Sequence, residues 1–395
     1  MVKMQIIGCG AAGNKAVIDL IEKEYINRDK FDYLLINSTS KDIPVDYREK
    51  SMIFGQNQLG GCGKERTKGK RMLLEDTENG IRAIEDKINP DTELVVVCGS
   101  TEGGTGSAAI PIVSKYVKSV LKIPTIAVLF FGFNDDARGM QNSIEICQEL
   151  SEDIGVISIC NSAFMESANG SKIRAEKMAN IYFACIMREI SGVGIYESSQ
   201  NIDDTDLRKV LFTAGYIRIE SILLKNIKNI EQFNKRVNDA IDNDSASIDS
   251  PTKSAKRIAC IFNVKSNADY VDYSCNVFKN RFGMPYELFT HIQDSLESAE
   301  YITVIASGMD LPIDFVKDIY NQYKKTSSII KKDRDNFFDE MNTLHGNSED
   351  AMFNMFDNIE DKSSIDKDRE SFFKEFEIDL KPQMKPNKKD NSEEY

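Results

Sequence analysis

Apolar residues in the first ~160 positions fall into short runs separated by amphipathic stretches. Residues 4–7, 33–36, 94–98, 125–130 and 155–160 carry no charge, as expected of strands buried on both faces of a parallel sheet. Between them Ala16, Val17, Leu20 and Ile21 recur at helical spacing, as do Ile81, Ile84 and Ile88. The alternation predicts an α/β fold, a doubly wound and mostly parallel Rossmann-like sheet, over residues 1–174.

Residues 175–190 are apolar around most of a helical circumference, so this helix should be buried on several sides. It suits the seam between two domains, and 175–200 is read as a central helix with its connection. A helix is expected over 203–214, stopped by Gly215, then a polar, acid-rich insertion around a helix at 235–254. Strand-like runs at 258–264 and 302–306 bracket a helical stretch, which predicts a smaller α/β domain over 201–311. Ile313, Val316, Ile319, Tyr320 and Tyr323 share one helical face of a C-terminal extension over 312–345. Beyond His345 the chain turns to Asp, Glu, Lys, Ser and Asn, with Phe372, Phe373 and Phe376 and a lysine-rich end at Lys381, Lys385, Lys388 and Lys389. The tail 346–395 is expected to be flexible and disordered when free.

Composition narrows the chemistry. No apolar run approaches the roughly 20 residues a bilayer span needs, and the opening residues run straight into a strand pattern, so the mature chain is expected to begin here without direct membrane contact. Eight scattered cysteines without CxxC spacing read as reduced thiols in a cytoplasmic protein. With only His291 and His345, little room is left for zinc sites or histidine triads. The net charge of −13 argues against strong direct nucleic-acid binding, which needs clustered cations. Carboxylates, backbone amides and a bound ligand must carry the chemistry.

Glycine-rich turns supply the candidate site. The first strand ends in Gly8-Cys9-Gly10-Ala11-Ala12-Gly13-Asn14, a G-x-G-x-x-G pattern whose bare backbone lets a phosphate approach the N–H groups of the next helix. A dinucleotide site also asks for an acid after the second strand; Asn37-Ser38-Thr39 stands there. An NAD-dependent oxidoreductase is therefore the weaker alternative. The strand from Leu94 runs into Gly103-Gly104-Thr105-Gly106-Ser107, where successive N–H groups can form an anion-binding concavity with Thr105 and Ser107 adding hydroxyls. A third turn holds Gly60, Gly61, Gly63, Lys64 and Arg66. Lys64 or Arg66 either pairs with phosphate oxygens or is a solvated charge at a helix start.

Gly103-Gly104-Thr105-Gly106-Ser107 resembles the signature of the tubulin/FtsZ family, with Glu102 and Ala108 standing where glycines are usual. An acid at 102 would repel phosphates unless it points away or helps hold Mg2+. The turn at 60–66 is similar to the phosphate-sensing loop of the plasmid and phage TubZ branch. Asn201-Ile202-Asp203-Asp204-Thr205-Asp206 resembles the family's Asn-x-Asp-x-x-Asp loop, in order and spacing. Helix capping by Asp203 is the local alternative.

The resemblance, which spans about residues 2–308, implies GTP/GDP with Mg2+ and a GTPase that polymerises head to tail. In that reading Asp203 and Asp206 position the attacking water in the next subunit's pocket, and Asn201 touches nucleotide. Asn180, mid-helix on the central helix, would read the guanine edge, unless it packs against a buried carbonyl. Phe133-Asn134-Asp135-Asp136-Ala137-Arg138 is similar to the ribose-binding loop: Asp135 or Asp136 would accept from the sugar hydroxyls and Arg138 would bracket the nucleotide. Asn161 is a second sugar candidate. A long helix followed by an acidic, lysine-ended tail is similar to TubZ, which implies plasmid or phage DNA segregation and a DNA-bound adaptor protein engaged by the tail. An FtsZ-type role in cell division is the runner-up.

Overall fold

A computed structural model describes residues 3–344 apart from 27–28, 30, 56–60, 77–78, 151–153, 193–203, 225–226, 228, 244–245, 249–252, 264–267 and 294–299. Gly60, Asn201, Asp203 and the tail therefore lie outside the described residues. The chain up to Ser327 forms one compact unit.

The charge-free runs are strands β1 (Met4–Cys9), β2 (Phe31–Asn37), β4 (Leu94–Ser100), β5 (Thr125–Phe131) and β6 (Gly155–Cys160), with a three-residue β3 (Ser51–Ile53) at one edge. All pair in parallel in the order β3-β2-β1-β4-β5-β6. Every residue of β1 and β5 is buried, because helices cover both faces. These are α1 (Gly10–Glu22), α2 (Arg66–Glu75), α3 (Gly104–Tyr116) and α4 (Ala137–Glu149). α1 turns Ala16, Val17, Leu20 and Ile21 into the core, each large side chain contributing roughly 1.5–3 kcal/mol by burial. Ile81, Ile84 and their neighbours form a short 3-10 turn rather than an α-helix.

The central helix α5 (Lys172–Gly192) buries Ala179, Phe183, Met187 and Ile190, and Phe183 meets Phe130 of β5 edge-on at 5.5 Å. Beyond α6 (Asp204–Leu211), the sheet continues through β7 (Gly215–Leu223), joined to β6 by only Gly155↔Gly215 and Val156↔Tyr216. β10 (Tyr301–Met309) lies antiparallel between β7 and β8 (Arg257–Asn263), and β9 (Glu287–Gln293) pairs in parallel at the far edge. The acid-rich insertion is an amphipathic helix, α7 (Ile230–Asn243), which packs on α8 (Ala268–Phe282) with Phe233 stacked on Tyr270 at 4.0 Å. α9 (Ile313–Leu344) closes the described chain. Among the described residues no helix is long and apolar enough to cross a membrane.

Candidate functional site

The order β3-β2-β1-β4-β5-β6 reverses direction between β1 and β4, and in such sheets ligands sit at the carboxyl ends of the strands on either side of that point. Two of the three glycine turns leave the sheet there. α1 begins at Gly10 directly after β1, and α3 begins at Gly104 four residues after β4. Neither helix has an acid in its first turn, so two positive dipole ends converge without a compensating charge.

Contact between these turns explains their glycines. A Cβ on Gly10, whose φ is +70°, would lie 2.8 Å from the Gly106 nitrogen, and one on Gly104 would lie 2.5 Å from the Gly63 carbonyl oxygen. The third turn is thereby laid against the second. A Cβ on Gly103 would meet nothing within 4 Å; this is open space over the start of α3, and Ala11 and Ala12 at the start of α1 are exposed. Gly8 has a different use, leaving room for the Asn14 side chain. Asn14 is buried and donates to the Ile36 carbonyl at 3.3 Å, tying α1 to the end of β2.

Hydroxyls complete the floor. Thr105 Oγ1 and Ser38 Oγ share a hydrogen bond at 2.8 Å, and Gly61 passes within reach of Ser38. Ser107 is fully buried and donates its hydroxyl to the Gly103 carbonyl, so its backbone is what remains for a ligand. The dinucleotide pattern asks only for an acid after β2, and that expectation hid the role of Ser38.

Lys64 and Arg66 part company. Lys64 is half exposed and ion-paired with Asp136. Arg66 is 3% exposed, neither solvated nor free for a phosphate. It donates to the Ser107 carbonyl at 3.1 Å and to Glu145 at 3.2 Å, and pairs with Glu149 through both terminal nitrogens. Lys70 reaches the same Glu149. Burial opposes ionisation of Glu149, yet bonds from Arg66 and Lys70 hold its carboxyl below the usual range. This cluster clamps α2 and α4 onto the start of α3.

The loop after β5 borders the same crevice. Asp136 caps α4, accepting from the Gly139 N–H at 2.8 Å. Asp135 is half exposed and pairs with Lys172 at 2.6 Å, while Arg138 is exposed and extends toward Gln141. At the end of β6, the Oδ1 of Asn161 is buried and has no hydrogen-bond partner among the described residues, the condition of an atom that a ligand hydroxyl could satisfy. On α5, Asn180 donates to Asp19 of α1 at 2.6 Å, a carboxylate partner that spacing along the chain does not reveal.

Asp206 is not at this crevice. It stands in the first turn of α6, paired with Lys209 at 3.0 Å. Arg208, in the last turn of the same helix, donates to Glu93 at 2.7 Å, and Glu93 immediately precedes β4, whereas the phosphate turn follows it. Gly215, just past α6, donates to Ile154 at the start of β6. Both anchors fix α6 at the amino edge of the sheet. The seven residues of β4 separate the two edges by roughly 20 Å.

All eight cysteines are free thiols. Burial pushes the Cys9 and Cys98 thiols well up and Cys147 to about 12, so they behave as small core hydrophobes.

Comparison with known proteins agrees with this geometry. Residues 3–169 match the Tubulin/FtsZ family GTPase domain. The cell division protein FtsZ of Methanothermobacter thermautotrophicus is 24% identical over 334 residues, covering 78% of this chain and 80% of that protein. TubZ of Bacillus thuringiensis serovar israelensis, in a GTPγS-form protofilament, superposes with a TM-score of 0.71 at 15% identity, covering 84% of this chain and 94% of that one. Clostridium botulinum phage c-st TubZ gives 0.65 at 16% identity, covering 82% and 98%. Residues 3–169 are a tubulin/FtsZ family GTPase domain, carried within a chain of tubulin/FtsZ fold.

Proposed function

We propose that this chain binds GTP at the β1/β4 crevice, polymerises head to tail, and hydrolyses the nucleotide at the contact between successive subunits. The observation that carries this reading is the separation of Asp206 from the glycine turns. A carboxylate roughly 20 Å away across the sheet cannot act on a nucleotide in its own subunit, but stacking one amino edge on the next carboxyl edge brings the two together. Asp206, with Asp203 and Asn201, would then position and polarise the attacking water, a task of placement and charge stabilisation that needs no histidine.

Within the crevice, the N–H groups from Gly10 to Asn14 and from Gly104 to Ser107 would hold phosphate oxygens. Gly60, Gly61, Gly63 and Lys64 would close over the terminal phosphate, and Asn180 would face the base. Asp135, Arg138 and Asn161 border the sugar. Mg2+ would sit mainly on phosphate oxygens with few protein ligands, as that ion commonly does. It would neutralise charge developing there.

GTP turnover per subunit measured against protein concentration, with sedimentation in parallel, tests the reading. The expected result is a cooperative onset of turnover at the concentration where pelleting begins. A specific rate unchanged by dilution would refute hydrolysis across a contact.

The TubZ likeness and the lysine-ended tail support segregation of plasmid or phage DNA in the cytoplasm, with residues 381–395 engaging a DNA-bound adaptor. Deletion of 381–395 should then spare assembly and abolish adaptor capture. The FtsZ relatives support a second reading, in cell division. Filaments that form rings at the division site and persist in cells without plasmid or phage DNA would favour it.

A further inference from the structure

Glu102 stands in the phosphate turn, one residue before the open space at Gly103, and its carboxyl is turned away from the start of α3 into a slot made by two glycines. A Cβ on Gly132 would fall 2.5 Å from Glu102 Oε1, and one on Gly139 would fall 3.2 Å from Glu102 Cβ. A side chain at 132 would push the carboxyl out of its seat, and one at 139 would press on its stem by a few tenths of an ångström. Within the slot Glu102 Oε1 accepts the backbone N–H of Asn134 at 2.9 Å. Asn134 has φ +56°, a left-handed conformation that costs a non-glycine residue energy unless its surroundings hold it.

The backbone of Glu102 is tied in as well. Its N–H donates to Ser100 Oγ at 3.2 Å. Asn142, buried on α4, donates from one amide nitrogen to the Glu102 carbonyl at 2.9 Å and to the Lys64 carbonyl at 3.0 Å. One acid thus links the turn after β4 to the loop 133–136 after β5, and that loop returns to the third glycine turn through Asp136 and Lys64.

We propose that Glu102 is a positioning residue, a latch that holds the loop at 133–136 in the shape that receives the nucleotide sugar. The inference rests on the nucleotide reading above and adds how this crevice sets its sugar contact. The acid works through Asn134 without touching the ligand.

The test compares binding of GTP and 2′,3′-dideoxy-GTP below the assembly threshold in the full chain and in Glu102→Ala, Glu102→Gln and Gly132→Ala. The full chain should prefer the ribonucleotide. Glu102→Ala, which leaves the Asn134 N–H without its acceptor, should lose about three- to tenfold for GTP, the worth of roughly one hydrogen bond, and should no longer distinguish the two sugars. Gly132→Ala displaces the carboxyl from the other side and should reproduce that loss. The double variant should be no worse than either single one, because both break the same contact. Glu102→Gln keeps an acceptor at the same reach and should retain the sugar preference.

If Glu102→Ala does not fold, Gly132→Ala against Glu102→Gln carries the same contrast. Sugar preference unchanged in Gly132→Ala, or lost equally in Glu102→Gln, overturns the latch while leaving GTP binding intact. Failure of the full chain to bind either nucleotide overturns the nucleotide reading itself.

Discussion

Asn180 on α5 donates through Nδ2 to Asp19 on α1 across 2.6 Å. That bond uses one of the amide's two N–H groups and leaves two acceptors at the seam, the Asn180 carbonyl oxygen and the second oxygen of Asp19. Guanine offers two donors on its Watson–Crick edge, N1–H and the exocyclic amine, so a base seated against the pair as proposed would be guanine rather than adenine. Asp19→Ala should weaken GTP binding about tenfold, the size of one charge-assisted hydrogen bond. Inosine triphosphate, which lacks the amine, should lose less. Competition binding checks this; equal losses for the two nucleotides would assign the pair to packing.

The Arg66 cluster makes a prediction about stability. Arg66 is almost wholly buried, and Glu149 answers both it and Lys70. Glu149→Gln would leave two cations underpaired in the interior, at a cost of about 3–5 kcal/mol. The carboxyl of Glu149 titrates below its ordinary value, so its contribution is present above the ordinary carboxylate pKa and is lost as pH falls through the lowered one. The stability gap between the full chain and Glu149→Gln should therefore be widest near neutral pH and should close in acid. Urea titrations at several pH values read it directly.

The same cluster shows where sequence reasoning stopped. β1, β4 and β5 are legible because both faces of a parallel sheet demand apolar residues, and the turns after β1 and β4 are legible because glycine has few other reasons to recur there. Arg66 carries no local sign of burial: its partners Glu145 and Glu149 lie some eighty residues on. β7 escapes notice because Arg218 and Glu220 interrupt its apolar run, yet both are buried and paired with each other. α7 looks like a polar insertion until Phe233, Val237 and Ile241 are placed on one inward face. Ser38, Asp19 and Asn142 act through contacts with elements distant along the chain, which no spacing encodes.

Placement of Asp206 at the edge opposite the glycine turns leads to a mixing experiment. Asp206→Ala should bind GTP as the full chain does, assemble, and release phosphate about a hundredfold or more slowly, the scale of losing a group that activates the nucleophile. Its filaments should outlive those of the full chain. A second variant, Gly104→Val, should fail at the crevice while keeping Asp206. Mixed together, the two should recover turnover, since one supplies an intact crevice and the other an intact carboxylate. Turnover no greater than the sum of the separate variants would place Asp206 outside the reaction.

The glycines themselves separate into two kinds. A Cβ on Gly13 would run into the Cys98 carbonyl oxygen, whereas one on Gly103 would meet nothing. Gly13→Ala should therefore act on the fold, forcing α1 off the end of β4 at about 1–3 kcal/mol. Gly103 has φ −77° and ψ 157°, a backbone that alanine adopts without strain. Gly103→Ala should lower the melting temperature only slightly, through the weaker N-cap, while its methyl group takes up the space open to a phosphate and weakens GTP binding about tenfold or more. Thermal melts with and without nucleotide distinguish the two. Full nucleotide-induced stabilisation of Gly103→Ala would mean that the open space over α3 is not where the phosphates lie.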